Sequence, residues 1–189
     1  MKKLSRFIEA LARGEDTAKA RDKAGYSDNS EIEEDLQEVI ERIRGLMAEA
    51  GNAAPDYLTV HCDGASSGNP GPAAAAAVAY LPSGDILTSR TEKLGKTTNN
   101  VAEYRAVILG LQLARDLNVK KVILKIDSLL VVNQMNGKYK IKSDHLRELA
   151  LKAGWLCRQF ESCEFRHVSR DHNREADKLA RDAVKKKQG

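Results

Sequence analysis

Leu4, Phe7, Ile8 and Leu11 recur at i, i+3, i+4 and i+7, which predicts an amphipathic helix over about residues 3–13, closed by Gly14. A shorter helix is expected from Asp16 or Thr17 to Gly25. Ser30-Glu31-Ile32-Glu33 reads as a capping box opening a third helix to about Ala50, with Ile32, Leu36, Val39, Ile40, Ile43, Leu46 and Met47 on one stripe. Gly51-Asn52-Ala53-Ala54-Pro55 breaks the pattern. Residues 1–52 are therefore read as a small helical module, with residues 53–56 completing the linker.

From Tyr57 the period changes to two. Tyr57, Thr59, His61 and Asp63 share one face of a strand, and Leu58, Val60 and Cys62 the other, with Asp63 expected at the strand's C-terminal end. Gly64, Gly68 and Gly71, with Pro70 and Pro72, predict a tight turn whose backbone can come close to a substrate. Ala73–Tyr80 and Ile86–Leu94 are the next two strands, joined by the turn Pro82-Ser83-Gly84-Asp85. Thr97-Thr98-Asn99-Asn100 caps a helix from about Val101 to Leu117, with Glu103 in its first turn. Lys121–Ile126 is a buried strand ending at Asp127, and Ser128–Asn136 turns helical. The connector Asn136–Lys142 leads to a helix from Ser143 or Asp144 to about Phe160; Glu164–Val168 is the last strand and His172–Lys187 the last helix. This order predicts an α/β domain over residues 57–189. Its five-stranded mixed sheet has three antiparallel strands plus two parallel ones and is flanked by helices, behind a small all-α module.

Composition narrows the class without naming a function. Hydrophobic content of 42% with 31% charged residues suits a soluble, cytoplasmic protein. No apolar run approaches the ~20 residues that a membrane span needs. The start, MKKLSRFIEALARGED, is basic, but charge interrupts it too soon for a signal-peptide core. Cys62, Cys157 and Cys163 are odd in number and lack CxxC spacing, so they read as reduced, mostly buried thiols rather than disulfides or zinc ligands. Net charge is informative once divided: residues 1–52 hold 9 Lys/Arg against 12 Asp/Glu, net −3, and residues 53–189 hold 22 against 15, net +7. A basic domain with a tight acidic cluster suits a polyanion bound by lysines and cut at a metal site. The acidic N-terminal module, although its three helices suggest a helix-turn-helix, is better suited to homodimerising or docking than to reading DNA.

Four carboxylates stand out by position. Asp63 ends the first strand, Glu103 opens the TTNN helix, Asp127 ends the KVILKI strand, and Asp177 lies in the last helix after the polar loop Ser169–Arg174. If the first and fourth strands are parallel neighbours, Asp63 and Asp127 leave the same sheet edge beside Glu103. Taken alone, each would read as a surface charge. Gathered, they would raise one another's pKa steeply, and hard divalent cations with oxygen ligands resolve that conflict. Two Mg²⁺ ions ~3.5–4 Å apart could then serve phosphodiester hydrolysis.

The stretches CDGASSGNPGPAAAA, TTNNVAEYRAVILGL, LKIDSLLVVNQMNGKYKIK and HVSRDHNREADKLA resemble, in order, the motifs of type 1 ribonuclease H over about residues 57–185. The short connector NGKYKIK is most similar to the archaeal and plant-like branch. The resemblance implies a cytoplasmic endonuclease that hydrolyses the RNA strand of an RNA–DNA hybrid with two Mg²⁺ ions, Mn²⁺ substituting, to give 5′-phosphate and 3′-hydroxyl ends. It implies Asp63, Glu103, Asp127 and Asp177 as metal ligands. Gly64, Ala65, Ser66 and Asn69 would approach the 2′-hydroxyls and the minor groove, Asn99 and Asn100 would read that groove, and Thr98 and Asn100 would form part of a DNA-phosphate pocket. Recognition by 2′-hydroxyl and backbone shape suits a hybrid.

Departures from the family pattern are informative. Where many members place a loop histidine, this chain has Arg170, which stays protonated and would hold a phosphate or steady the leaving group. His172 is the titratable alternative in the same loop. Leu129 replaces a glutamine that contacts nucleic acid in several relatives. Lys138, Lys140, Lys142 and Lys185–Lys187 are candidate phosphate contacts. Trp155, His61 and His167 are expected to be packed, and His145 to lie at the surface. Two rival readings remain: a non-catalytic hybrid-binding adaptor, and a nuclease of the same fold acting on another nucleic acid.

Overall fold

The computed structural model describes residues 2–38 and 57–185. The chain parts into two units, residues 1–53 and 54–189. In the first, α1 (Lys2–Ala12) and α2 (Thr17–Ala24) are followed by α3, helical from 29 through 38. Leu4, Phe7 and Ala10 of α1 meet Ala20, Ala24, Tyr26 and Ile32 in a small core. The expected stripe is shifted, because Ala10 is buried and Ile8 is 53% exposed. α2 offers only alanines to this core, so the buried face of α1 is narrow. Asp16 caps α2 by accepting from Lys19 N at 3.0 Å, and Gly25 closes it at φ 83°. The cap of α3 is Asp28, not Ser30: its Oδ1 accepts from Ser30 N at 2.8 Å, Glu31 N at 3.2 Å and the Ser30 hydroxyl. The rest of the predicted stripe, Val39–Met47, and the Gly51–Pro55 linker lie outside the described residues.

The second unit contains β1 (Tyr57–Ser66), β2 (Gly71–Tyr80), β3 (Ile86–Thr97), β4 (Lys121–Ile126) and β5 (Ser162–His167). They form one sheet in the order β3-β2-β1-β4-β5. β1–β2 and β2–β3 are antiparallel, β1–β4 and β4–β5 parallel, as the sequence predicts. The helices are α4 (Asn99–Asp116), α5 (Leu129–Met135), α6 (Asp144–Cys157) and α7 (Arg174–Lys185), the last preceded by a 3₁₀ turn at Arg170–His172. Leu58, Val60 and Cys62 of β1 are fully buried in one core with Tyr104, Val107, Ile108 and Leu111 of α4. Gly110 brings that helix close, since a Cβ there would meet Cys62 Sγ at 2.5 Å. Both α4 and α7 pack on β2, which accounts for its run of buried alanines, Ala73–Ala77.

Several expectations are corrected. Asp63 is not the end of its strand: the parallel ladder with β4 stops at Cys62↔Ile126, while β1 continues antiparallel to β2 as far as Ser66↔Ala73. Helix α4 starts at Asn99, so Glu103 lies in its second turn. Trp155 is 55% exposed, because Leu149, Ala153 and Leu156 supply the buried face of α6 and Trp155 falls outside it. His167 is exposed at the end of β5, whereas His61 is half-buried. The cysteines are not all free: Cys157 and Cys163 form a disulfide, and Cys62 alone is a free, buried thiol. The short return from α6 to β5 brings the two Cα atoms within 5.6 Å, a proximity that spacing rules for CxxC do not register.

Candidate active site

β1 delivers Asp63 just past the point where its parallel pairing with β4 ends, and Asp127 follows the last residue of β4. The two carboxylates therefore leave adjacent strands at the same edge. Glu103 arrives from α4, whose start is fixed by two side chains. Thr98 Oγ1 accepts from Val101 N at 3.4 Å, and Asn69 Oδ1 from Asn99 N at 3.1 Å, satisfying two of the helix's free donors. Carboxylate oxygens of Asp63, Glu103 and Asp127 all lie within 4.8 Å of one another. Asp177, in the first turn of α7, lines the same cleft of about 440 Å³. That is room for hydrated cations and a phosphodiester.

The electrostatics follow from this crowding. Burial, then the charges of Asp127 and Asp177, push Asp63 up to about 8. Burial, then Asp63 and Asp127, push Glu103 up to about 9, against hydrogen bonds from Gly64 N–H and the Asn99 amide. Glu103 Oε1 accepts from Asn99 Nδ2 at 3.5 Å, while buried Oε2 has no hydrogen-bond partner. A buried anionic oxygen without a donor is costly, and a hard cation would satisfy it. The donor set thus fits a divalent metal. Asp177 is held differently: Oδ1 accepts from Arg170 Nη2 at 2.8 Å and Oδ2 from Arg181 Nη2.

Because Asp63 and Glu103 titrate above the ordinary carboxylate range, the metal-free fold keeps protons that the unfolded chain has lost between about pH 4 and 9. Its stability should fall as pH rises through that window. A cation must displace those protons. Calorimetric titration with Mg²⁺ at pH 7, in buffers of different ionisation enthalpy, should show net proton release that shrinks above about pH 9.

The cleft also gathers Gly64, Ala65, Ser66, Asn99 and Arg170 from the residues singled out in the sequence. Ser66 Oγ donates to Asn99 Oδ1 at 3.4 Å, linking the β1 terminus to the start of α4. Asn69 and Thr98 are positioned as caps of α4, and Asn100 is exposed beside them. Lys138, Lys140 and Lys142 are exposed on the connector between α5 and α6, outside the cleft. Of the two loop candidates, Arg170 reaches the cleft. His172 is exposed, with Nδ1 2.8 Å from Ser169 Oγ.

Sequence reasoning passed over Asn173 and Arg181. Asn173 is 1% exposed, donates Nδ2 to Cys62 O at 3.0 Å, faces His61 Nδ1 at 3.2 Å, and accepts Asp177 N on its carbonyl at 3.0 Å. It ties the first turn of α7 to the residue before Asp63, fixing how Asp177 stands against Asp63. A polar residue between His172 and Arg174 in a loop gives no periodic signal. Arg181 could have been found from its i+4 spacing to Asp177.

Comparison with known proteins gives a consistent result. Residues 61–183 match the family described as reverse transcriptase-like. A bifunctional protein of Mycobacterium tuberculosis is 40% identical over 128 residues, 67% of this chain but 35% of that protein, so the chain spans about a third of this relative's length. A protein named ribonuclease H from Rhodopseudomonas palustris is 34% identical over 74% of this chain and 92% of its own length. Among solved structures, ribonuclease H1 of the halophilic archaeon Halobacterium salinarum superposes with TM-score 0.67 at 37% identity, covering 68% of this chain and 97% of that one. A ribonuclease H1 solved in complex with RNA/DNA hybrid superposes with TM-score 0.64 at 33% identity, covering 67% and 96%.

Proposed function

The chain belongs to the reverse transcriptase-like family of ribonuclease H domains, and from that premise we propose that it is an endonuclease hydrolysing the RNA strand of RNA–DNA hybrids. One observation carries the reading. Three carboxylates from β1, α4 and the end of β4 converge to within 4.8 Å, and a buried oxygen of one of them lacks any hydrogen-bond donor. Binding a duplex requires no such cluster, which weighs against a purely adaptor role. The solved relative bound to an RNA/DNA hybrid supports the substrate class. A cytoplasmic setting goes with that substrate. Among the described residues no helix is long and apolar enough to cross a membrane. The comparisons lend no support to dimerisation through residues 1–52.

Asp63, Glu103, Asp127 and Asp177 would hold the metal, a pair of Mg²⁺ ions for which Mn²⁺ substitutes. When bound, such a pair supplies an activated water and stabilises the departing 3′ oxygen, leaving 5′-phosphate and 3′-hydroxyl ends. The chain's own groups do the positioning. Ser66 and Asn99, on the cleft rim, offer hydrogen-bonding groups to the 2′-hydroxyl side of the RNA strand, with Gly64 and Ala65 lining the cleft beside them. Asn69, Thr98 and Asn100 hold or extend that surface toward the DNA strand. Arg170 meets phosphate charge and cannot serve as a base. Lys138, Lys140 and Lys142 add sequence-independent phosphate contacts that should make affinity fall with salt.

The direct test offers labelled hybrid, double-stranded RNA and double-stranded DNA to the protein in Mg²⁺ and in Mn²⁺. Cleavage should fall on the RNA strand of the hybrid alone and cease with chelator. Binding without cutting would establish the adaptor reading, and equal cutting of the other duplexes would establish a nuclease of different substrate.

A further inference from the structure

Asp177 differs from the other carboxylates of the cleft in what holds it. Its side chain is 7% exposed, and each of its oxygens accepts from a different guanidinium. The metal-sized group of oxygens among the described residues is Asp63, Glu103 and Asp127, without Asp177. The two arginines are also unlike each other. Arg170 stands in the 3₁₀ turn with 71% of its side chain exposed. Arg181, with 55% of its side chain exposed, sits one turn along α7 from Asp177, so the helix itself keeps its guanidinium within reach of that carboxylate.

We propose that Arg181 is a positioning residue that sets the affinity of the second cation: it caps Asp177, so the free protein loads the Asp63–Glu103–Asp127 group first and the Asp177 side much more weakly. This rests on the two-cation reading of the site. A positive charge beside one ligand opposes a divalent ion there, and acts less on the Asp63–Glu103–Asp127 group, to none of whose oxygens Arg181 is bonded. It also holds the Asp177 side chain oriented while no cation is present.

The test is calorimetric titration of the whole protein with Mn²⁺, without nucleic acid, on wild type, Arg181→Gln and Arg181→Lys. Circular dichroism checks that each variant is folded. Wild type should show one tight step and a second step weaker by about tenfold or more, the scale of a single repelling charge at this range. In Arg181→Gln the second step should tighten by about tenfold while the first changes less than about threefold; Arg181→Lys, which keeps the charge, should stay near wild type. A second step that is unchanged or weakened in Arg181→Gln overturns the proposal, since a merely structural arginine would give that result. If wild type binds no Mn²⁺ saturably, the metal reading of the cleft itself falls. A normal first step with an unaltered second sinks only the role of Arg181.

Discussion

Asp127→Asn should leave the domain folded and lower Mg²⁺-dependent cleavage of a labelled hybrid by about a hundredfold to a thousandfold or more, the scale seen when one charge-stabilising group is removed from a reaction centre. The amide has the shape of the carboxylate and loses the anionic oxygen, one of three that lie within 4.8 Å of each other. Two further effects separate this from simple damage. The charge of Asp127 is among the causes that raise Asp63 and Glu103, so removing it relieves repulsion inside the metal-free cleft. The variant's melting temperature in chelator should therefore be equal to or above that of wild type. The rise in melting temperature on adding Mg²⁺ should shrink, because a ligand that binds the native state stabilises it by its affinity. A variant that cuts at the parent rate, or keeps the full Mg²⁺ shift, would remove the carboxylate group from the chemistry.

How much of this was legible in the chain depends on what each residue signals locally. Strand alternation at Leu58, Val60 and Cys62, and the KVILKI run, predicted β1 and β4; their parallel pairing then placed Asp63 and Asp127 at one edge. The mixed sheet followed from the order of elements. Less legible was anything decided between segments. Asp28, two residues before Ser30, captured the start of α3, because loop geometry chose among neighbouring cap residues. Trp155 was expected inside α6, yet exposure of one helical face depends on what packs there, and composition does not report it. The Cys157–Cys163 pairing needed the return from α6 to β5. Within the site, carboxylates at strand and helix ends announce themselves. Asn173, whose work is a hydrogen bond to the Cys62 carbonyl, does not. Nor did Gly64 announce its function, since a glycine after an aspartate suggests a turn.

That glycine is in fact inside β1, paired with Ala75, and its missing side chain is what lets α4 lie against the strand. A Cβ at Gly64 would land within contact distance of the backbone of Ala102 and Glu103, not of a flexible side chain that could swing aside. Gly64→Ala must therefore move the helix or the strand, and should cost about 3 kcal/mol of stability, the upper range for overpacking a filled interior. The displaced segment includes Glu103, whose Oε1 accepts from Asn99 Nδ2 in the same helix. A shift of ~1 Å at a reacting group can cost about a hundredfold in rate, so cleavage measured well below the melting temperature should fall by that order as well. Gly154 in α6 supplies the contrast: a Cβ there meets nothing within 4 Å, and Gly154→Ala should raise stability by about 0.5–1 kcal/mol with cleavage unchanged. Denaturant unfolding and hybrid cleavage on the two variants measure both effects. Should Gly64→Ala match the parent in both, close contact between β1 and α4 would not be what positions Glu103, and the convergence of the three carboxylates would need another cause.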